Sequence, residues 1–425
     1  MRLLARLALG LALALAAATG ALADARAPND RAPGGADAAQ SEVLVMLRLP
    51  PDHLRPNASY GGGWNEGAAA RRRIVERLAS QNGLVLVDSW PMAVVGVDCF
   101  VLRAPADESP ADVAARLSRS PQVAWSQPMN LYRGEGGARE AGAPRAAARG
   151  DPLLPMQPVA REWRLADLHR TATGRGVRVA VIDSRVEPSH PDLVGQVALN
   201  ENFVSGRPAG PETHGTAVAG IIAAIADNGI GIAGVAPGSR LLALRACWQG
   251  AAATLCDSLS LAKALDFAIG HGAQVINLSI AGPPDILLGK LLDAAKARRA
   301  VVVAAFDPSL PGGGFPASHP GVVAIADEGA GRPPAGVYSA PGRDIPATLP
   351  GGKWGLVSGS SFAAAEVSGL AALVRERPGG AAAKVLAALP EGGVRDACAT
   401  LQGEPMAASP ACPGGQGRLR EAAIR

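Results

Sequence analysis

Aromatic residues are scarce in this chain: six Trp, three Tyr and six Phe make up 4% of 425 residues. Yet 48% of the residues are hydrophobic, so the core has to be Ala, Val and Leu brought together by close backbone approach. Charge of one sign is also missing. Lys and Arg number 41, Asp and Glu 37, for a formal net charge of +4. The Arg residues are spread rather than blocked, which argues against a nucleic-acid footprint. After the first 23 residues no run is long and apolar enough to span a bilayer, and no stable membrane anchor is expected. No Cys/His spacing resembles a zinc site, no calcium loop is recognisable, and neither a metal nor another cofactor is expected. The serine singled out below has no G-x-S-x-G elbow around it, because Phe362 and Ala363 follow Ser361, which weakens an esterase of that type.

What the sequence does contain begins with Met1–Ala23. Two Arg precede an apolar stretch that ends in Ala21-Leu22-Ala23, the form of a secretory signal peptide. Export to the periplasm or the exterior is therefore expected, and it would place the five cysteines in an oxidising compartment. Connectivity cannot be deduced from sequence alone. The short separations make Cys247–Cys256 and Cys398–Cys412 the expected pairs and leave Cys99 single. Residues 24–41 are polar and rich in Pro, Gly and Ala, a disordered linker by composition. From 42 to 131 the pattern reads β-α-β-β-α-β, the ferredoxin-like order. A Gly-, Ala-, Arg- and Glu-rich linker is expected over 132–150, exposed and easily nicked. Strands and helices alternate from 151 to 390, which predicts an α/β domain with a doubly wound parallel sheet covered on both faces. A Gly/Pro-rich tail closes the chain over 391–425.

Three stretches carry chemistry. Val177–Leu193, VRVAVIDSRVEPSHPDL, is a β-branched run that brings Asp183 to a strand end. Thr213–Ile225, THGTAVAGIIAAI, starts a small-residue helix at His214. Val357–Val374, VSGSSFAAAEVSGLAALV, starts another at Ser361. Taken singly, a strand-end Asp, a helix-start His and an N-cap Ser are ordinary structural features. Together they supply what a serine nucleophile needs: a base within reach and an acid that orients the base. A helix N-terminus adds free N–H groups for a developing oxyanion.

Around Asp183, His214 and Ser361, the segments VAVIDS…HPDL, HGTAVAGIIAA and GSSFAAAEVSG resemble the three signatures of subtilisin-like serine proteases, in the family's chain order. The resemblance covers roughly 151–376 and implies a serine endopeptidase acting on polypeptides. Ser361 would be the nucleophile, His214 the general base and acid, and Asp183 the orienting carboxylate. It further implies that the 42–131 unit is an inhibitory propeptide, so that the enzyme is made as a zymogen whose first partner is its own propeptide. A monomer is expected. Calcium, where such proteins bind it, uses scattered backbone oxygens that a sequence does not display.

Within the resemblance, Ser279-Ile280-Ala281-Gly282 matches the segment that pairs with extended substrate, so Ser279, Ala281 and Gly282 are substrate-binding candidates. Gly314-Phe315-Pro316-Ala317 matches the far wall of the first specificity pocket, with Gly314 facing it, and Ala304-Ala305-Phe306 matches its near wall and floor. Phe306 stands where the family has Gly, which predicts a pocket restricted to small side chains. Asp307 stands where the family has the Asn that donates to the oxyanion. An ionised Asp only accepts hydrogen bonds, so either a protonated Asp307 donates or its side chain turns away. Around Ser361 the family's Thr, Met, Pro and His are replaced by Ser360, Phe362, Ala365 and Glu366. Glu366 falls in an apolar helix, where a paired structural acid is expected. These departures also motivate a reading of another class: a catalytically weak pseudoprotease that binds peptides or partners.

Overall fold

The computed structural model describes residues 41–48, 63–140 and 150–377. The expected signal peptide, the 24–40 linker, the Cys398–Cys412 pair and the 391–425 tail lie outside them.

The first unit comprises β1 (Glu42–Arg48), α1 (Gly63–Gln81), β2 (Val85–Met92), β3 (Val97–Arg103), α2 (Pro110–Leu117) and β4 (Trp125–Pro128). Its antiparallel sheet runs β2-β3-β1-β4, the strand order that the β-α-β-β-α-β pattern anticipates. Strand period 2 divides β1 between two cores. Val43, Val45 and Leu47 join Val75, Val113 and Leu117 under α1 and α2, while Leu44 and Met46 face the second domain.

That domain follows with α3 (Pro158–Glu162), α4 (Leu165–Thr171), β7 (Arg178–Asp183), β8 (Val197–Asn202), α5 (Thr213–Ala223), β9 (Arg240–Arg245), β10 (Cys247–Gln249), β11 (Thr254–Asp257), α6 (Ser258–Gly270), β12 (Val275–Leu278), β13 (Ile280–Ala281), α7 (Ile286–Ala297), β14 (Val301–Ala305), β15 (Val323–Asp327), β16 (Tyr338–Ala340), β17 (Ile345–Leu349), β18 (Lys353–Ser358) and α8 (Ser360–Glu376). A seven-stranded sheet runs β16-β15-β14-β12-β7-β9-β8, and each neighbouring pair is parallel. Alternate residues enter opposite cores. Val179 and Val181 of β7 pack with α5 and α8, and Ala180 and Ile182 pack with α6 and α7. Strands buried on both faces need the continuous apolar runs seen in the sequence. The α5 and α8 helices are small-residue helices because other backbone and side chains crowd them. A β-carbon at Gly220 would lie 2.1 Å from Thr348, and one at Gly369 would lie 2.5 Å from Val235.

The 131–140 stretch differs from the free linker expected of it. It forms β5 (Leu131–Gly134) and β6 (Gly137–Glu140). β5 lies between β11 and β13, antiparallel to both, and β6 pairs antiparallel with β18. Its Gly content suggested a loop. Edge strands waiting on the second domain overrode that local preference. Residues 141–149 lie outside the described part.

Two buried charges carry predictions. Arg245 and Glu212 are 3% and 5% exposed, with Nη2 to Oε1 at 2.7 Å and Nε to Oε2 at 3.0 Å. Glu212 stands just before the helix that carries His214, and its carboxylate also accepts the Arg185 N–H. Removing one partner strands the other charge, so Arg245→Met is expected to destabilise the protein by about 3–5 kcal/mol, read from urea unfolding in a Ser361→Ala background.

Glu366 was expected to be paired, and in the structure it is not. It is fully buried, neither carboxyl oxygen has a hydrogen-bond partner among the described residues, and burial drives its pKa well above the usual carboxylate value. Burial thus disfavours its charged form. Because its folded-state pKa is raised, its contribution is most favourable below the unfolded pKa and is lost as pH rises towards the folded one. Glu366→Met is therefore expected to gain about 1–3 kcal/mol at pH 7 and much less at pH 4, in the same unfolding assay.

Candidate active site

Asp183 ends β7, and the helix α5 starts beside the loop that follows it. The approach is close: a β-carbon on Gly215 would fall 2.2 Å from the Ser184 carbonyl oxygen. Glycine after His214 is thus a packing requirement, and it brings the imidazole onto the carboxylate. His214 Nδ1 lies 2.8 and 3.0 Å from the two Asp183 oxygens. Asp183 is fully buried and His214 is 6% exposed. Asp183 Oδ1 also accepts the Ser184 N–H at 2.6 Å. An ionised carboxylate accepts only, so Nδ1 is the donor to it, and in the neutral imidazole that leaves the lone pair on Nε2. Nε2 is buried and has no hydrogen-bond partner among the described residues.

Ser361 lies in the first turn of α8, fully buried. Its backbone is fixed by a chain of polar contacts. Ser368 Oγ donates to Asn277 Oδ1 at 2.8 Å, Asn277 Nδ2 donates to Ser279 Oγ at 2.9 Å, and Ser279 Oγ donates to the Ser361 carbonyl at 2.8 Å. Asn277 and Ser368 escaped the sequence reading. Their only signal there is a polar residue inside an otherwise apolar strand and helix.

Ser361 Oγ donates to the Ser279 carbonyl at 2.9 Å and accepts the Glu135 N–H at 3.0 Å. The Ser361 N–H points at the Glu135 carbonyl oxygen, at 3.3 Å. Glu135, another residue missed in the sequence, joins β5 to β6, and the chain therefore crosses Ser361 with a peptide carbonyl on a helix N-terminal donor. Gly359 makes room for this passage. Its φ is 140°, and a β-carbon there would lie 2.6 Å from both the Glu135 carbonyl oxygen and Gly136 Cα. Burial, and then Asp307, push the Glu135 carboxyl pKa upward.

Asp307 does not donate to that carbonyl. Its Oδ1 accepts the Ser309 N–H at 2.8 Å and the Ser309 hydroxyl at 2.7 Å. This local turn satisfies the carboxylate, which leaves the Ser361 N–H as the donor on the Glu135 oxygen among the described residues.

The remaining candidates line the cleft. Ala281 pairs with Arg133 and Ile280 with Gly134. Gly282 exchanges two backbone hydrogen bonds with Phe315 at 2.8 and 2.9 Å. Gly314 abuts Ala281: its β-carbon would lie 3.2 Å from the Ala281 methyl. Tyr132 is fully buried against Gly282, and its hydroxyl donates to the Pro283 carbonyl at 3.2 Å. Phe306 packs flat on Gly313, where a β-carbon would lie 2.0 Å from the ring. It lines a cavity of about 520 Å³ together with Glu135, Ala326, Arg332 and Ser360. Cys247–Cys256 is a disulfide across the β10–β11 hairpin, and Cys99 is free and buried. Among the described residues no group of three or more His, Cys, Asp or Glu could hold a metal ion, and no helix is long and apolar enough to cross a membrane.

The parallel α/β sheet thus brings Asp183 at a strand end and His214 and Ser361 at helix starts to a cleft in which an extended segment of the chain lies along β13. The comparisons give the family. The model of the subtilase family matches residues 174–391, and the chain belongs to that family. It is 38% identical over 216 residues to the thermophilic serine proteinase of Bacillus sp. (strain AK1), covering 48% of this chain and 53% of that one. It is 34% identical over 221 residues to subtilisin Savinase of Lederbergia lenta, covering 49% and 80%. The match spans about half the length of several of these relatives. Among solved structures, fervidolysin from Fervidobacterium pennivorans, a keratinolytic enzyme related to subtilisin, superposes with a TM-score of 0.63 at 21% identity over 86% of this chain and 61% of that one. At that identity the likeness concerns the fold.

Proposed function

We propose that this protein is an exported serine endopeptidase, periplasmic or secreted, made as a monomeric zymogen. It hydrolyses polypeptides through an acyl-enzyme, with Ser361 as nucleophile, His214 as base and acid, and Asp183 holding the imidazole. The unit 42–131 is its propeptide, and no cofactor takes part. One observation carries this reading: the chain's own 131–140 stretch lies across the cleft with the Glu135 carbonyl on the Ser361 N–H. It is supported by the Asp183–His214 pair and by the relatives named above. Binding energy comes from backbone pairing with β11 and β13. Ser361 Oγ must turn from the Ser279 carbonyl to His214 Nε2 before attack, and Nε2 is free to receive its proton. The test is labelling of Ser361 by a fluorophosphonate together with cleavage of casein by processed enzyme. Labelling without proteolysis would favour a peptide-binding pseudoprotease instead.

A further inference from the structure

We infer that the bond this protein cuts in itself is Glu135–Gly136, and that its cleft requires glycine on the leaving side of that bond. The inference rests on the proposed peptidase activity and goes beyond it to the bond and to the side chains that select it.

The register fixes the bond. Arg133 pairs with Ala281 and Gly134 with Ile280, so the next residue, Glu135, falls opposite Ser279 at the nucleophile. Its carbonyl oxygen is the one that faces the Ser361 N–H. In the reaction Ser361 Oγ bonds to the Glu135 carbonyl carbon, and its proton passes through His214 to the Gly136 nitrogen as the C–N bond breaks. Water then opens the ester, leaving the Glu135 carboxylate and restoring the Ser361 hydroxyl.

The walls fix the residues around the bond. Gly136 has φ 136°, and a β-carbon there would lie 2.5 Å from the Ser358 carbonyl oxygen and 2.7 Å from Phe362 Cε2. One obstacle is backbone and the other is a ring 1% exposed, packed 5.2 Å from the His214 ring, so neither yields easily. On the other side, a β-carbon on Gly134 would lie 3.1 Å from Thr254 Cβ and 3.2 Å from His214 Nε2, a tighter fit that a small shift would relieve. Gly137 is different: nothing lies within 4 Å of its β-carbon position. Tyr132 fills the buried seat three residues before Glu135. The substrate class is an extended segment of the form aromatic-x-Gly-x followed by Gly, with Phe362 closing the seat after the cut.

The experiment is processing of the full chain, followed by intact mass of both products. The released fragment is expected to end at Glu135 and the mature chain to begin Gly136-Gly137-Ala138. Gly136→Ala is expected to slow processing about 10²-fold or more, since misplacing the reacting carbonyl by an ångström costs that much. Gly137→Ala, a change of the same size one residue on, should stay within about twofold. Ser361-dependent cleavage at another bond, or equal slowing by both glycine variants, overturns this inference and leaves the proposed peptidase standing. Casein cleavage without any self-cleavage does the same. Unaltered processing in Ser361→Ala overturns both readings of the self-cut.

Discussion

Ser361→Ala protein is expected to remain joined between its two units after export and to lose proteolysis by about 10⁶-fold in kcat, the scale reached when a subtilisin loses its nucleophile. The site explains the size of the effect. Ser361 Oγ accepts the Glu135 N–H, next to the carbonyl that rests on the Ser361 N–H, and among the described residues no other hydroxyl occupies that place. The fold should survive, because the Ser361 backbone is held by Ser279 and Asn277 rather than by its hydroxyl. Circular dichroism of the variant should match wild type, and gel mobility should report an uncut chain. A purified Ser361→Ala chain that is cut at the wild-type rate would refute self-processing.

Asp307→Asn is expected to raise kcat on a peptide substrate by about 10-fold or more and to leave KM nearly unchanged. Asp307 Oδ1 accepts both Ser309 donors, and an asparagine can keep those contacts through its own Oδ1. Its amide nitrogen is then free to face the cleft, where it would add a second oxyanion donor to the Ser361 N–H. Loss of such a side-chain donor in a subtilisin costs about 10²–10³ in rate. The gain here should be smaller, because one backbone donor is already in place. An interaction formed mainly in the transition state moves kcat and not KM.

Self-processing adds a pH signature. Burial and Asp307 both raise the pKa of Glu135, so docking of the segment is most favourable at low pH and weakens as pH rises through that raised value. His214 imposes the opposite limit, since it must be unprotonated to act as base. Removing the Asp307 charge lowers the Glu135 pKa towards its ordinary value and lessens the repulsion that an ionised Glu135 meets in the cleft. The loss of processing rate on the alkaline side should therefore become smaller in Asp307→Asn. An unchanged or lower kcat across the pH range would show that the oxyanion is served without position 307.

Much of this architecture was legible from the residues. The continuous apolar runs around Val179, Leu241, Ile276 and Val302 mark strands buried on both faces, and the small residues after His214 and Ser361 mark helices under close approach. The Asp183–His214 contact followed from order and motif. Three things were hidden. The 131–140 stretch reads as linker because its Gly residues lower strand propensity, while its pairing depends on β11, β13 and β18 more than a hundred residues away. The Asp307 carboxylate could have pointed either way, and Ser309, two residues on, decides it. Glu366 was expected to find a partner because a lone buried carboxylate is costly, and that cost is met instead by keeping its proton.

The double use of β5 has a consequence for dosage. While the chain is whole, the strand is tethered to the cleft that it fills, and its effective concentration there is of the order of millimolar, set by the geometry of the tether and independent of how much protein is present. Once the bond after Glu135 is cut, the same strand becomes an ordinary ligand. It is still held between β11 and β13, and its unit still carries Lys263–Asp88 and Asn130–Asp285 contacts to the second domain, but its occupancy now falls with dilution. In the proposed zymogen, cutting would turn a concentration-independent block into a concentration-dependent one: freshly processed protein is expected to stay inhibited at high concentration and to gain activity on dilution.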